Sequence, residues 1–216
     1  MQRQEEPHPP SNPESVRITD DEIREKYLER AIREINQLTR DIQGCHTCPR
    51  GGVMPVVGSG HPQADIMLVK HEAVPSEVEE GVAFYGRAGN ALMKSLKRLQ
   101  IDPLAVYGTL CVKCPVGDAS LADPKCVGRL ADEFAIVQPK MLVVMGQYAL
   151  EVVNELQFPL ARSVAARPGE IQQLTPSCDL LFTPDIDGSL DEEDAKRAFW
   201  SAFRVLGDWY ADLPPY

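Results

Sequence analysis

The feature that most constrains this chain is the alternation of short apolar runs with segments of helical periodicity. The runs ADIMLV, VYGTLCV and MLVVMG begin at Ala64, Val106 and Met141, and helical patterns cover residues 90–99, 127–137 and 148–156. Short apolar runs separated by helices are typical of a mostly parallel sheet covered by helices on both faces. The sequence therefore predicts an α/β protein with ligands bound where loops leave the carboxyl ends of the strands.

The C-terminal part predicts two short strands and a final helix. The strands are expected near residues 170–174 and 179–182. Ser189, with Glu192 three residues later, has the pattern of a capping box at the start of that helix. An apolar stripe then continues the helix, which ends before Pro214; the stripe consists of Phe199, Phe203, Leu206 and Tyr210.

The N-terminal part divides at about residue 18. Residues 1–18 are rich in proline and polar residues, a composition that predicts a disordered tail. Thr19 and Glu22 form a second capping-box pattern, and the apolar residues after them predict an amphipathic helix that ends at Gly44. We expect residues 19–216 to form one domain with this helix at its start.

The charge balance restricts the partners. Twenty-two basic residues against 32 acidic residues give a net charge of -10, which disfavours nonspecific attraction to nucleic acids or anionic membranes. A DNA-binding role therefore needs a local basic groove, for which the candidates are Arg87, Lys94, Lys97, Arg98 and Lys113. The sequence shows neither a membrane-spanning apolar stretch nor a secretory signal pattern, so we expect a cytoplasmic protein with no membrane partner.

Four of the six cysteines are candidate metal ligands. Cys45 and Cys48 form a C-x-x-C directly after the first predicted helix, and Cys114 and Cys126 flank a loop downstream. Four thiolates satisfy either the tetrahedral coordination of zinc or the four corners of a 4Fe-4S cluster, and their spacing does not choose between them. Cys111 and Cys178 lie in or beside apolar runs, where a buried position in the core is preferable.

The order of several segments resembles the iron-sulfur uracil-DNA glycosylases, family 4 of that superfamily. The segments are CHTCPR, GSGHPQADIMLVKHEA, GVAFYGRAGNALMKSL, VYGTLCVKCP, PKMLVVMGQYALE and LLFTPDIDGSL. The resemblance implies a three-layer α/β/α fold with a central, mostly parallel sheet. It also implies a 4Fe-4S cluster and a DNA partner, single-stranded or duplex, and it would make Cys45, Cys48, Cys114 and Cys126 the cluster ligands.

The same resemblance assigns roles in base excision to the loop after the first apolar run. Cleavage of an N-glycosidic bond places positive charge on the sugar and negative charge on the departing base, and the target nucleotide is first flipped out of the stack. The resemblance implies that Glu72 supplies the carboxylate near the sugar, with His71 as a second catalytic candidate. Phe84 would stack on the flipped base, and Ala73 would line the same pocket.

Two further pocket positions depart from the family's pattern. Leu110 stands where the family has an asparagine that recognises the base, and Thr183 stands where it has a histidine. A leucine cannot recognise an imide edge, and the loss of one charge-stabilising donor commonly lowers the rate by a factor of roughly a hundred to a thousand. We therefore interpret the chain as a degenerate member of the family.

Two functions follow from these residues. The first is a DNA-repair glycosylase, or a close derivative, in which Glu72 positions water and Phe84 stacks on the flipped base. The second is a non-catalytic iron-sulfur module that binds nucleic acid or a protein partner on the same fold. Zinc in place of the cluster is the alternative for the metal.

Overall fold

The chain folds around a single six-stranded sheet in the part that the structure describes. The structure is a computed structural model that describes residues 19–156 and 158–214; the predicted tail, residues 1–18, lies outside this part. The strands are β1 (Ser59–Gly60), β2 (Ile66–Lys70), β3 (Val106–Leu110), β4 (Met141–Met145), β5 (Ile171–Thr175) and β6 (Cys178–Thr183). Their order is β1-β3-β2-β4-β6-β5, with the four central strands parallel and the two edge strands antiparallel to their neighbours.

Helices cover both faces of this sheet. The helices are α1 (Asp20–Gln43), α2 (Pro75–Glu80), α3 (Arg87–Arg98), α4 (Pro124–Val137), α5 (Gln147–Glu155), α6 (Ile186–Ser189), α7 (Glu193–Phe203) and α8 (Val205–Ala211). Residues of α4 and α5 pack on one face, whereas residues of α3, α7 and α8 pack on the other. Because the strand residues alternate between these two cores, the predicted three-layer α/β/α architecture is confirmed.

The first helix begins where the sequence predicts. The backbone N–H of Thr19 donates to Glu22 Oε2 at 2.8 Å, and the Thr19 hydroxyl oxygen accepts from the N–H of Glu22, which completes the capping box. Gly44 ends the helix. Leu38 and Ile42 are buried, α1 contacts α4, and Ile35 packs against the core that α4 and α5 cover, so α1 extends the helical layer on that face of the sheet.

The predicted start of the last helix is wrong. Asp185 caps a separate short helix, α6, by accepting from the N–H of Gly188 at 2.8 Å, and the Ser189 hydroxyl donates to the carbonyl of Asp185. Because Ser189 is used in α6, the final helical segment begins at Glu193, and Glu192 precedes it without a side-chain cap. A break at Arg204 then divides this segment into α7 and α8.

No helix within residues 19–156 and 158–214 combines the length and the apolar character needed to cross a membrane.

Candidate functional site

A row of four side chains crosses the carboxyl ends of the parallel strands. Lys70 is in register with Leu110 on one side and with Met145 on the other, and Met145 is in register with Thr183. Side chains in register on neighbouring strands project to the same face of a sheet. Leu110 and Thr183, the two departures from the family's pocket, therefore lie in one row with Lys70 and Met145 between them, and all four are buried.

Lys70 is an ion-paired lysine at the centre of this row. Its side chain is 1% exposed, and its Nζ lies 2.8 Å from Glu77 Oε2 and 2.6 Å from Asp187 Oδ2. The same Nζ lies 5.6 Å from the centroid of the Phe84 ring, within the range of a cation–π contact. The ring that is predicted to stack on a base therefore faces a protein ammonium group.

Glu77 fixes the loop that joins β2 to α3. Its side chain is fully buried; one carboxylate oxygen accepts from the N–H of Val74 at 2.8 Å, and the other accepts from the N–H of Phe84 at 2.6 Å. Phe84 has a φ of 59°, in the left-handed region, and a Cβ added at Gly89 would lie 1.7 Å from the Phe84 carbonyl oxygen. The loop thus needs glycine at position 89 and an acceptor at position 77 to hold Phe84 in place.

Three of the four predicted base-binding residues come together. Ala73, Phe84 and Leu110 belong to one apolar cluster with Val56 and Ala83. Within this cluster the Leu110 side chain is fully buried and offers no polar atom to a base.

Thr183, the fourth predicted base-binding residue, ends β6 in the same row. Its hydroxyl donates to the carbonyl of Pro184 at 3.0 Å, and its side chain is fully buried. The position that holds a histidine in the family's pattern therefore carries a hydroxyl group whose proton is engaged within the protein.

The two predicted catalytic residues, His71 and Glu72, line a cavity that does not include Phe84. His71 and Glu72 line a space of about 790 Å³ together with Tyr148 and Glu151 of α5, and Phe84 is not among the lining residues. The rings of His71 and Tyr148 have their centroids 5.6 Å apart. Because successive residues of a strand alternate between faces, His71 lies on the α5 side of the sheet while Lys70 points to the Phe84 side.

Three of the four predicted metal ligands converge. The Sγ atoms of Cys48, Cys114 and Cys126 all lie within 4.8 Å of one another in a buried cluster that could hold a metal ion. The N–H of Asp123 donates to Cys48 Sγ at 3.3 Å. Burial, followed by the neighbouring thiols, raises the pKa of Cys114, so that a bound cation would have to displace thiol protons.

Cys45, the fourth predicted ligand, lies outside this group. Its side chain is partly exposed, and its Sγ contacts Thr47 Oγ1 at 2.8 Å, a hydrogen bond that lowers the pKa of the Cys45 thiol. A tetrahedral ion or a four-iron cluster requires a fourth ligand, and Cys45 is on the same short segment as Cys48. The thiol set therefore fits a soft metal centre, with Cys45 as the candidate for the remaining position.

A second buried lysine lies beside the cysteines. Lys113 Nζ lies 2.8 Å from Glu133 Oε2, and both side chains are buried, at 0% and 2% exposure. The proposal that Lys113 contributes to a basic groove is therefore wrong, because its ammonium group faces a carboxylate inside the core.

The remaining basic candidates differ in their surroundings. Arg87 pairs with Asp191 at 2.6 Å, and Arg98 lies over the Trp200 ring, 4.5 Å from its centroid. Lys94 and Lys97 are exposed on α3, a helix that contains no acidic residue. Within the described residues, these two lysines are the best remaining candidates for contact with phosphate.

The Lys70 network was not predicted from the sequence. One signal was present: Lys70 directly follows the apolar run from Ile66 to Val69 at a position where the buried pattern continues.

The architecture and the candidate site together define an α/β protein with a row of buried side chains at the carboxyl ends of its parallel strands and a separate cluster of cysteines. Comparison with known families identifies the superfamily within this class. The family model described as the uracil DNA glycosylase superfamily matches residues 57–204, more than half of the chain. The chain belongs to the uracil DNA glycosylase superfamily.

Proposed function

We propose that this protein is a metal-bearing, DNA-binding member of the superfamily that does not excise uracil through the usual pocket. The observation that carries the proposal is the Lys70 ammonium group, held by Glu77 and Asp187 against the Phe84 ring. A stacked base needs a face of that ring, and Lys70 already lies over one of its two faces, 5.6 Å from its centroid.

The chemistry of base excision gives further support. A departing uracil needs a donor for its developing negative charge and polar groups that recognise its edge. Leu110 offers neither, and the Thr183 hydroxyl donates to a carbonyl. The positive charge of Lys70 is balanced by two carboxylates, so it is poorly suited to stabilise an anionic base. We expect uracil excision to be lower than in an intact family pocket by at least the roughly hundredfold to thousandfold effect of one lost donor.

The DNA-binding part of the proposal rests on family membership and on α3. This helix has basic residues and no acidic residue, in a chain with a net charge of -10. Such a concentration of positive charge favours contact with a phosphate backbone through Lys94 and Lys97. We expect either single-stranded or duplex DNA as the partner.

The metal part of the proposal is a 4Fe-4S cluster on Cys45, Cys48, Cys114 and Cys126, with zinc as the alternative. Either group would join the segment after α1 to the loop after β3 and to the first turn of α4. Its contribution would be structural, since it lies apart from the Lys70 row. Metal analysis and the visible absorption spectrum of protein purified without oxygen distinguish iron-sulfur from zinc, because only the iron-sulfur protein is brown.

The first experiment measures free uracil released from single-stranded and duplex oligonucleotides, and in parallel the binding of the same oligonucleotides. We expect binding that weakens steeply with salt and no release above the rate without protein. Efficient release by the wild-type protein would overturn the proposal. Absence of binding even at low salt would instead remove DNA as the partner and point to a protein partner.

A second candidate function has its own observation. His71 and Glu72 share a cavity of about 790 Å³ with the exposed ring of Tyr148, which offers an aromatic face on the other side of the sheet. An N-glycosidic hydrolase acting on another damaged base would use Glu72 to position water in this cavity. Its test is base release from oligonucleotides that carry other damaged bases. Loss of that release in Glu72→Gln, but not in Glu155→Gln at the edge of the same cavity, would support this function.

A further inference from the structure

The buried network around Glu133 joins the chain segments that carry the clustered cysteines. Cys126 lies in the first turn of α4, and Glu133 lies about two turns later on the same buried side of that helix. Cys114 is the residue directly after Lys113, in the segment that follows β3. Any contact between Glu133 and the β3 segment therefore also sets the position of one cysteine relative to another.

Glu133 receives three donors, all of them from β3 or from the residues that directly follow it. The Tyr107 hydroxyl donates to Oε1 at 3.1 Å, and the Thr109 hydroxyl donates to Oε2 at 2.8 Å. Lys113 Nζ lies 2.8 Å from Oε2 and also donates to the carbonyl of Leu110 at 2.7 Å. These contacts fix the position of α4 along the length of β3 and also its distance from that strand.

A third segment is pressed against the same network. The chain that follows Cys48 returns to the network at Gly58, where an added Cβ would lie 2.4 Å from the Tyr107 hydroxyl oxygen and 2.9 Å from Glu133 Oε1. Two residues earlier, the N–H of Val56 donates to the carbonyl of Lys113 at 2.7 Å. Segments that contain or follow all three converging cysteines therefore meet at one buried ion pair.

We propose that Lys113 and Glu133 are positioning residues for the cysteine site, and the proposal rests on the metal binding proposed above. Burying an ion pair carries a desolvation penalty that packing alone does not require, and buried polar groups can instead specify one geometry. Metal centres tolerate only small changes in ligand position, and residues that orient the ligands commonly change metal affinity by 10–100-fold when substituted. The Lys113–Glu133 pair holds the Sγ atoms of Cys114 and Cys126 within reach of one ion.

The experiment compares metal binding in Glu133→Gln with that in Asp65→Asn. Asp65 is the matched control because its carboxylate also pairs with a lysine, Lys140, at 3.1 Å, at the opposite end of β2 and β4 from the carboxyl-end row. Metal-free protein is titrated with Co²⁺, whose visible spectrum reports the geometry of the thiolates around each bound ion, and Co²⁺ affinity is measured by competition with a chelator. Tyr107→Phe serves as a milder variant because it removes one donor and keeps the ring.

We expect Glu133→Gln to weaken Co²⁺ binding by at least tenfold and to shift the thiolate spectrum, with a smaller effect in Tyr107→Phe and none in Asp65→Asn. A Glu133→Gln protein that is folded by circular dichroism and binds Co²⁺ with unchanged affinity and spectrum would overturn the inference. If the wild-type protein binds neither Co²⁺ nor its native metal, the proposed metal function fails, and this inference fails with it.

Discussion

Lys70 and Lys113 are two buried lysines at the ends of neighbouring strands, yet they differ in what they connect. Lys113 pairs with one carboxylate, Glu133, inside the layer formed by β3 and α4. Lys70 pairs with two carboxylates from separate short helices, Glu77 of α2 and Asp187 of α6. Lys113 thus stabilises the packing of a helix on the sheet, whereas Lys70 holds two short helices over the end of the sheet.

The two lysines also differ in how exposed their carboxylate partners are and in whether a second carboxylate remains when one is removed. Both side chains of the Lys113–Glu133 pair are almost completely buried, at 0% and 2% exposure, whereas the Asp187 side chain is 25% exposed. Removal of a partner in a fully buried pair leaves an uncompensated charge, but Lys70 retains one carboxylate when it loses the other. The Lys113 network should therefore be the less tolerant of substitution.

The largest expected effect is that of Glu133→Leu. This change leaves two hydroxyl groups without their acceptor in the core, and it leaves the Lys113 ammonium group without its carboxylate, with only the Leu110 carbonyl to accept from it. We expect the free energy of unfolding, measured by urea denaturation, to fall by about 3–5 kcal/mol. A loss below about 1 kcal/mol would show that the pair is not buried as described.

Glu77→Gln should have the next largest effect. One oxygen of the amide can still accept a hydrogen bond, but its NH₂ group opposes either an N–H donor or the Lys70 ammonium group. Because Asp187 still balances Lys70, we expect a loss of about 2–3 kcal/mol in urea denaturation. A matched change at an exposed site of the same short helix, Glu80→Gln, should leave stability within about 0.5 kcal/mol of the wild type.

The Lys113 network contains a phenol, and the Lys70 network does not, so the two should differ in alkaline solution. Burial, followed by the nearby Glu133 carboxylate, raises the pKa of Tyr107 above its ordinary value. Above pH 10 or so the unfolded chain would lose this proton while the folded chain keeps it, so stability falls as pH rises. The contribution is up to about 1.4 kcal/mol per pH unit.

Urea denaturation from pH 9 to pH 11 checks this dependence. Tyr107→Phe should show a shallower loss of stability over that range than the wild type, even though it starts from a lower value because it lacks the hydrogen bond to Glu133. Parallel curves for the two proteins would contradict the assigned role of Tyr107.

Asp187→Asn should have the smallest effect of the series. Asp187 is the more exposed partner of Lys70, and Glu77 remains to balance the charge. We expect a loss of about 1 kcal/mol, with local loosening of α6 visible as faster amide hydrogen exchange in residues 186–189. An effect as large as that of Glu133→Leu would mean that the two lysine networks are equivalent, against the comparison drawn above.

The fold was predictable because its strands carry local signals. The runs that begin at Ala64, Val106 and Met141 contain the central strands β2, β3 and β4, and a capping box marks the start of α1. The C-terminal helices were harder to predict because two cap signals, at Asp185 and at Ser189, lie within one turn of each other. Local sequence does not decide which of two adjacent caps forms.

The candidate site was predictable only in part. Spacing and family resemblance identified the cysteines, three of which converge, and the cluster of Ala73, Phe84 and Leu110. The Lys70 network was missed because lysines are rarely buried and because Asp187 lies 117 residues further along the chain. No local pattern predicts a pair over such a separation.

The Lys70 network also bears on how this protein could change under selection. Replacement of Lys70 alone would leave the carboxylates of Glu77 and Asp187 facing each other in a buried space. Replacement of Glu77 alone would release the loop that holds Phe84. Substitutions that open space beside the Phe84 ring would therefore have to change Lys70 and its two carboxylate partners together, because each single replacement leaves a buried charge or frees the loop.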